Sequence, residues 1–293
     1  MNIVKFLIAV NDYSTDNSYT KLKDLSFHDK RIKIVNNTKN SGLLYSRAMG
    51  VINSRGEYIM NLDPDDTLSD VTDLEYLYEN TNNSQIDIIN FKVLEIQTNG
   101  SKREIAKCNL FNETLFQPKL FDHFINKPDL LIWNKMIKKE IFLKAYEVYK
   151  TKIIGEFCNY CEDEIWSSLV NKFANSKKCL NRIIYVYIRN DNSIILKMNY
   201  DLYCNNMIDW NEMFIYKIFS ERKAMARTVT IRFLNKILNK DYFFRSIKTN
   251  KLLTKKYITY LSTIRNKFIG DSIILDKINY ILNVLIPLRE KSF

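Results

Sequence analysis

A short hydrophobic run, Glu57-Tyr58-Ile59-Met60, passes directly into Leu62-Asp63-Pro64-Asp65-Asp66, and this junction limits the possible folds more than any other stretch of the chain. It reads as a strand that ends by presenting three carboxylates within four residues. Carboxylates this close repel one another and hold protons at neutral pH unless a cation balances them, and hard oxygen ligands suit Mg²⁺ or Mn²⁺. Ions of that kind, held by one or two carboxylates, complete their shell with substrate phosphates and water, so the cluster points to a diphosphate-bearing substrate. Asp63, Asp65 and Asp66 are the candidate metal ligands. An Asp-rich turn bent by Pro64 is the competing reading.

Further strands and helices lie upstream. Phe6-Leu7-Ile8-Ala9-Val10 reads as a buried strand that stops at Asn11-Asp12-Tyr13-Ser14-Thr15-Asp16-Asn17-Ser18, where Ser14 or Asp16 can cap the amphipathic helix that follows. Arg31-Ile32-Lys33-Ile34-Val35 is a second short strand. After it come Asn40-Ser41-Gly42-Leu43-Leu44-Tyr45-Ser46-Arg47-Ala48-Met49-Gly50 and Arg55-Gly56-Glu57-Tyr58-Ile59. In order and spacing these segments resemble the family 2 glycosyltransferases of GT-A fold. The family pattern runs VNDGSTDNS, then N-x-G-x-x-x-A-R-N-x-G, then G-E-Y-I-x-x-L-D-x-D-D. The resemblance covers Phe6 to Asp66 and continues more weakly in Trp133-Asn134-Lys135-Met136, in Glu162-Asp163-Glu164-Ile165-Trp166 and in the tyrosine-rich Tyr185-Val186-Tyr187-Ile188-Arg189.

The resemblance implies an α/β, GT-A-like domain over residues 1–194, with a Rossmann-like, mostly parallel sheet flanked by helices. It implies an inverting, metal-dependent transferase that moves a sugar from a nucleoside diphosphate donor, UDP by family frequency, to a hydroxyl of a glycan or glycoconjugate. The alternative is a truncated, non-catalytic relative acting as a binding module. Residue by residue, the resemblance makes Asp163 the base for the acceptor hydroxyl and Glu162 the residue that orients the acceptor. Asp12 would read the nucleobase edge, with Ser14 beside it. Asp63 would lie near the ribose and Asp65 on the metal, while Arg47 or Lys135 would meet phosphate. Trp133, Asn134 and Lys135 would line the acceptor side. For Glu162-Asp163-Glu164 an acidic first helical turn, favoured by the helix dipole, stands as the competing reading.

Two departures from the family pattern stand out. Family members normally begin with a strand carrying S-I-I-I-P-x-Y-N, and Phe6 to Val10 matches the second strand instead. The first-strand position is therefore expected either to be filled by another segment or to remain as an under-packed groove beside Phe6 to Val10. No histidine follows the Glu162-Asp163 motif, since the two in the chain are His28 and His123.

With 293 residues, 46% of them hydrophobic, the chain can bury a full core. No stretch approaches the roughly 18 apolar residues of a membrane span, and the start does not read as a secretory leader, so a cytoplasmic location is expected. The five cysteines do not suggest a disulfide framework. Cys158-x-x-Cys161 without a second pair reads as buried small hydrophobes in preference to a redox or zinc site. Residues 195–293 carry 18 Lys and Arg against 8 Asp and Glu, nearly all of the net charge of +11. Apolar residues recur there at helical spacing in Met225-Thr228-Val229-Phe233-Ile237 and in Ile273-Ile274-Lys277-Ile278-Ile281-Leu282-Leu285, which predicts a basic helical extension. Such helices can lie on an anionic membrane; nucleic acid is not an expected partner, and an oligomer is compatible with the composition.

Overall fold

The computed structural model describes residues 5–106, 114–117, 120, 130–153, 162–190, 204, 207–209, 211–212, 223–238 and 250–290. The chain divides into two compact units, Met1–Asp191 and Asn192–Phe293.

In the first unit the elements run β1 (Leu7–Asn11), α1 (Ser18–His28), β2 (Ile32–Asn36), α2 (Gly42–Asn53), β3 (Tyr58–Met60), β4 (Thr67–Leu68), α3 (Asp73–Glu79), β5 (Ile88–Ile96), β6 (Lys102–Ala106), β7 (Thr114–Phe116), β8 (Lys135–Lys138), α4 (Lys139–Lys152), α5 (Glu162–Phe173) and β9 (Ser176–Ile188). β1 and β2 form a parallel pair of their own. The other strands make a seven-stranded sheet in the order β3-β8-β5-β9-β4, with β6 on β5 and β7 on β9.

The strand sequences explain the centre of this sheet. β5 carries Ile88, Ile89, Phe91 and Val93, all fully buried, and is paired along both edges by β8 and β9. Branched and aromatic side chains pack well on such a two-sided surface. Beside the sheet, α2, α4 and α5 pack together. α2 contributes Leu44, Ala48 and Val51, spaced by four and three residues so that they share one helical face. Trp166 of α5 is fully buried against Phe142 and Tyr149 of α4, and its indole N–H donates to the Leu44 carbonyl at 3.2 Å.

The expectation of a mostly parallel sheet needs correction. Among the described strands only β1–β2 and β5–β9 pair in parallel, while β3–β8, β5–β8, β5–β6, β4–β9 and β7–β9 are antiparallel. The chain reverses direction between these neighbours, and no described strand bridges β1 and β3, so the described strands form two separate sheets. The expected groove beside Phe6 to Val10 is present, with a volume of about 540 Å³. β1 is correspondingly open: Phe6 is 38% and Leu7 48% exposed, in a sequence that reads as a buried strand.

One cysteine expectation also changes. Cys179 on β9 is disulfide-bonded, with its partner outside the described residues; Cys204 is buried. Cys158 and Cys161 lie outside the described residues.

The second unit contains α6 (Lys223–Leu238), α7 (Lys251–Lys267) and α8 (Ser272–Glu290). Val229, Phe233 and Ile237 on α6 and Ile274, Ile278, Ile281, Leu282 and Leu285 on α8 are buried, so the helical periodicity of the sequence marks true core faces. Phe233 stacks on Tyr257 and meets Tyr260 edge-on. No helix among the described residues is long and apolar enough to cross a membrane.

Candidate active site

The candidate site is assembled where strand ends and helix starts converge. Asp63 follows β3, Trp133 precedes β8, Tyr185 and Tyr187 lie on β9, Arg47 sits in the second turn of α2, and Glu162 and Asp163 open α5. The local sequence explains the last placement. Carboxylates in a first turn are favoured by the partial positive charge of the helix N-terminus, so the competing structural reading of Glu162-Asp163-Glu164 is correct as far as it goes. What it omits is Arg47.

A single nitrogen of Arg47, Nη2, lies 3.0 Å from Asp63 Oδ1, 3.4 Å from Glu162 Oε1 and 3.3 Å from Asp163 Oδ1. Its Nε is buried with no hydrogen-bond partner. Burial alone would lower the pKa of the guanidinium, but Asp163, Asp63 and Glu162 together hold it above its ordinary value. Three carboxylates around one cation are not fully neutralised. Burial, then the charge of Asp163, pushes Glu162 up to about 7; burial outweighs the pull of Arg47 and pushes Asp163 up to about 6. Such displaced carboxylates are what acid–base chemistry near neutrality requires.

The two acids are not equivalent. The Glu162 side chain is 8% exposed and that of Asp163 is 22% exposed, so Asp163 is the more open of the two. Asp163 Oδ2 accepts from the Trp133 indole N–H at 2.9 Å, while Oδ1 is buried, with Arg47 Nη2 3.3 Å away as its charge partner. Trp133 is itself held between the rings of Tyr185 and Tyr187, with centroids 5.1 and 5.9 Å away.

The acidic turn takes the form that its competing reading expects. The Asp66 N–H donates to the Asp63 carbonyl at 3.1 Å, closing a β-turn with Pro64 at its second position. Both oxygens of Asp66 are already engaged within the fold. Its two oxygens accept from the Tyr185 hydroxyl at 2.6 Å and from the Ile188 N–H at 2.8 Å, tying the turn to β9. Burial raises its pKa above the usual carboxylate range. Asp65 uses one oxygen to accept from Asn190 at 2.8 Å, and Asp63 uses one on Arg47. Each keeps a second hard oxygen, which fits a cation of the magnesium type that takes its remaining ligands from phosphate and water. Among the described residues no three Asp, Glu, His or Cys side chains converge as a complete protein-only metal cage.

Other expected site residues have scaffold roles. Asp12 does not offer a free carboxylate to a nucleobase: Oδ1 accepts from Asn37 Nδ2 at 2.7 Å and Ser41 N–H at 2.9 Å, and Oδ2 accepts from Gly42 N–H at 2.8 Å. It fixes the start of α2. Gly42 has φ +84°, a left-handed backbone that only glycine adopts without strain. Ser14 is exposed, and its N–H donates to Asn11 Oδ1 at 3.2 Å. Arg47 faces carboxylates, not an open phosphate site. Asn134 and Lys135, 4% and 0% exposed, cannot line an acceptor surface. The Lys135 ammonium donates to Asn134 Oδ1 at 2.7 Å and to the Leu131 carbonyl, and its charge helps restrain the pKa of Asp163.

The sequence reading missed the hub role of Arg47 and the hydroxyl of Tyr185. The Tyr185-x-Tyr187 spacing was the available signal, because period two in a strand places both rings on one face. Tyr13 was missed as well. It stands where the family pattern has glycine, with φ +59° and 58% exposure.

Comparison with known proteins bears on the fold and the family. The model of glycosyl transferase family 2 matches residues 5–144. The uncharacterized glycosyltransferase EpsJ of Bacillus subtilis is 24% identical over 192 residues, covering 64% of this chain and 54% of EpsJ; the chain thus spans about half the length of that relative. The glycosyltransferase GlyG of Streptococcus pneumoniae is 25% identical over 255 residues, covering 80% of this chain and 77% of GlyG. Among solved structures, TarS of S. aureus in complex with UDP superposes with a TM-score of 0.64 at 16% identity, covering 97% of this chain and 78% of the other. TarS in complex with UDP-GlcNAc gives 0.58 at 14% identity, covering 96% and 82%. At such identities the likeness is one of fold.

Proposed function

We propose that this chain, whose residues 5–144 match the model of glycosyl transferase family 2, is a member of that family and transfers a sugar from a UDP-sugar to an acceptor hydroxyl, with Asp163 as the general base. The observation that carries the reading is the setting of Asp163: a partly exposed carboxylate with raised pKa, oriented by the Trp133 indole N–H and by Arg47. A base must lie within hydrogen-bond reach of the proton it takes and have a pKa near the working pH.

The Asp163 carboxylate accepts the proton of the acceptor hydroxyl as its oxygen bonds to the anomeric carbon, and the bond from that carbon to the diphosphate oxygen breaks. A single displacement of this kind inverts the anomeric centre. Glu162 and Arg47 hold Asp163 in place and set its charge. The UDP complexes of TarS support the choice of donor. A divalent cation at Asp65 and Asp63 would stabilise the charge on the departing diphosphate.

Two measurements test the reading. UDP should raise the melting temperature with Mn²⁺ present and do so much less in EDTA, through mass-action linkage, and Asp65→Ala should lose the metal-dependent part. Asp163→Asn, nearly isosteric, should keep UDP binding and lower turnover roughly a hundredfold or more. Full activity in Asp163→Asn would move the base elsewhere. The open groove between β1 and β3 favours a second reading, a non-catalytic binding module. UDP binding without turnover of any UDP-sugar would select it.

A further inference from the structure

Tyr185 is fully buried on β9, out of reach of any substrate, yet its hydroxyl is engaged with the acidic turn. It donates to Asp66 Oδ2 at 2.6 Å and accepts from the Asp63 N–H at 3.1 Å. Its ring serves the opposite side of the site. The Trp133 ring centroid lies 5.1 Å away at a tilt of 37°, within the range of aromatic pairing, and the same indole donates to Asp163 Oδ2 at 2.9 Å. Arg47 Nη2 closes the circuit, 3.3 Å from Asp163 Oδ1 and 3.0 Å from Asp63 Oδ1. Running from the Asp63 backbone through Tyr185, Trp133, Asp163 and Arg47, the contacts return to the Asp63 side chain.

Packing alone does not require a hydroxyl at this position. Phenylalanine would fill nearly the same volume and keep the contact with Trp133, but Asp66 Oδ2 would lose its donor and the Asp63 N–H its acceptor. Polar groups stripped of a partner inside a fold are costly, so the hydroxyl does more for the turn than the ring does. In the reading above, Asp63 and Asp65 face the diphosphate side of the reaction and Asp163 faces the acceptor. The two reactants meet only if these carboxylates keep their separation, and a displacement of about 1 Å can slow a reaction roughly a hundredfold. A side chain that touches neither reactant but is tied to both sides of the site is placed to set that separation.

We infer that Tyr185 is a positioning residue that makes one frame of the donor side and the acceptor side of the site: its hydroxyl fixes the acidic turn, and its ring fixes Trp133 and, through it, Asp163. The inference rests on the functional reading above, with the diphosphate at Asp63 and Asp65 and Asp163 as the base. Coupling through such a frame is reciprocal, so a disturbance on either side is felt on the other.

Two variants and two readouts that need no turnover test it. Tyr185→Phe keeps the ring, and Asp66 keeps the Ile188 N–H at 2.8 Å, so the variant is expected to fold. Its calorimetric affinity for UDP with Mg²⁺ should weaken by about fivefold or more, the worth of one net hydrogen bond. The chain has three tryptophans, and the indole N–H resonance that disappears in Trp133→Phe belongs to Trp133. Saturating UDP with Mg²⁺ should shift this resonance in the wild type and leave it in place in Tyr185→Phe, a signature that a tyrosine serving stability alone would not produce. Trp133→Phe leaves both hydrogen bonds of the Tyr185 hydroxyl intact, yet it should weaken UDP with Mg²⁺ by about twofold or more. A Trp133 resonance that responds equally in wild type and Tyr185→Phe, unchanged affinity in either variant, or a Tyr185→Phe chain that no longer folds would each overturn the inference. A wild-type chain that does not bind UDP sinks the functional reading and takes the inference with it, whereas binding that neither substitution alters sinks the inference alone.

Discussion

β1 and β5 are both apolar strands, yet one lies half open and the other is sealed. Every residue from Ile88 to Val93 except Lys92 is buried in β5, whereas β1 keeps Leu7 nearly half exposed and only Asn11 buried. The difference is not in hydrophobicity. β5 has neighbours on both edges and β1 on one. Composition sets how much a strand gains from burial, and pairing decides whether it is collected.

Truncations measure the contrast most directly. Ile89→Ala on β5 should cost about 3–4 kcal/mol in a denaturant titration, within the range for buried Ile to Ala. Ile8→Ala on β1 should cost about 1 kcal/mol, because part of its surface is already in water. Similar losses at the two positions would break the comparison and imply that β1 is sealed in solution.

The second test concerns Glu162, which like β5 is largely closed off from water. Glu162 has its folded pKa raised to about 7, above the ordinary carboxylate value. Its contribution is therefore fully present below the unfolded pKa, where it is protonated in both states, and is lost as pH rises through about 7. Glu162→Gln should leave stability near pH 4 almost unchanged and add about 2 kcal/mol at pH 8, the linkage worth of a shift of this size after allowance for its coupling to Asp163. A thermal melt against pH reads this directly. Activity should follow the opposite direction for Asp163, falling as pH drops below about 6 where the base is protonated.

The smallest effect belongs to the end of β1. Tyr13 holds a left-handed backbone that costs a non-glycine residue roughly 1 kcal/mol, so Tyr13→Gly should stabilise the chain by up to about 0.5 kcal/mol once the entropy of glycine is counted. A loss of stability would show that the exposed ring makes a contact in solution.

Much of the site could be read in the sequence because its motifs are local. The turn at Asp63-Pro64-Asp65-Asp66, the acidic start of α5 and Trp133 each announce themselves within a few residues. What could not be read was how distant segments share charge. Nothing near Arg47 indicates that it lies between Asp63 and the first turn of α5, more than a hundred residues on, or that Tyr185 claims Asp66. The burial of Lys135 was equally hidden, since a lysine in a strand ordinarily reads as exposed. The groove beside β1 was foreseeable from the motif order.

The group around Arg47 has a consequence for what can approach it. Three carboxylates share one guanidinium, so the centre is an anionic spot in a chain whose overall balance is +11. A diphosphate brought there alone meets repulsion at short range even though the protein attracts it from afar. Added protons and added divalent cations relieve the same repulsion. The two should therefore substitute for one another: a mildly acidic buffer would lower the cation concentration needed for nucleotide to bind, and an alkaline one would raise it.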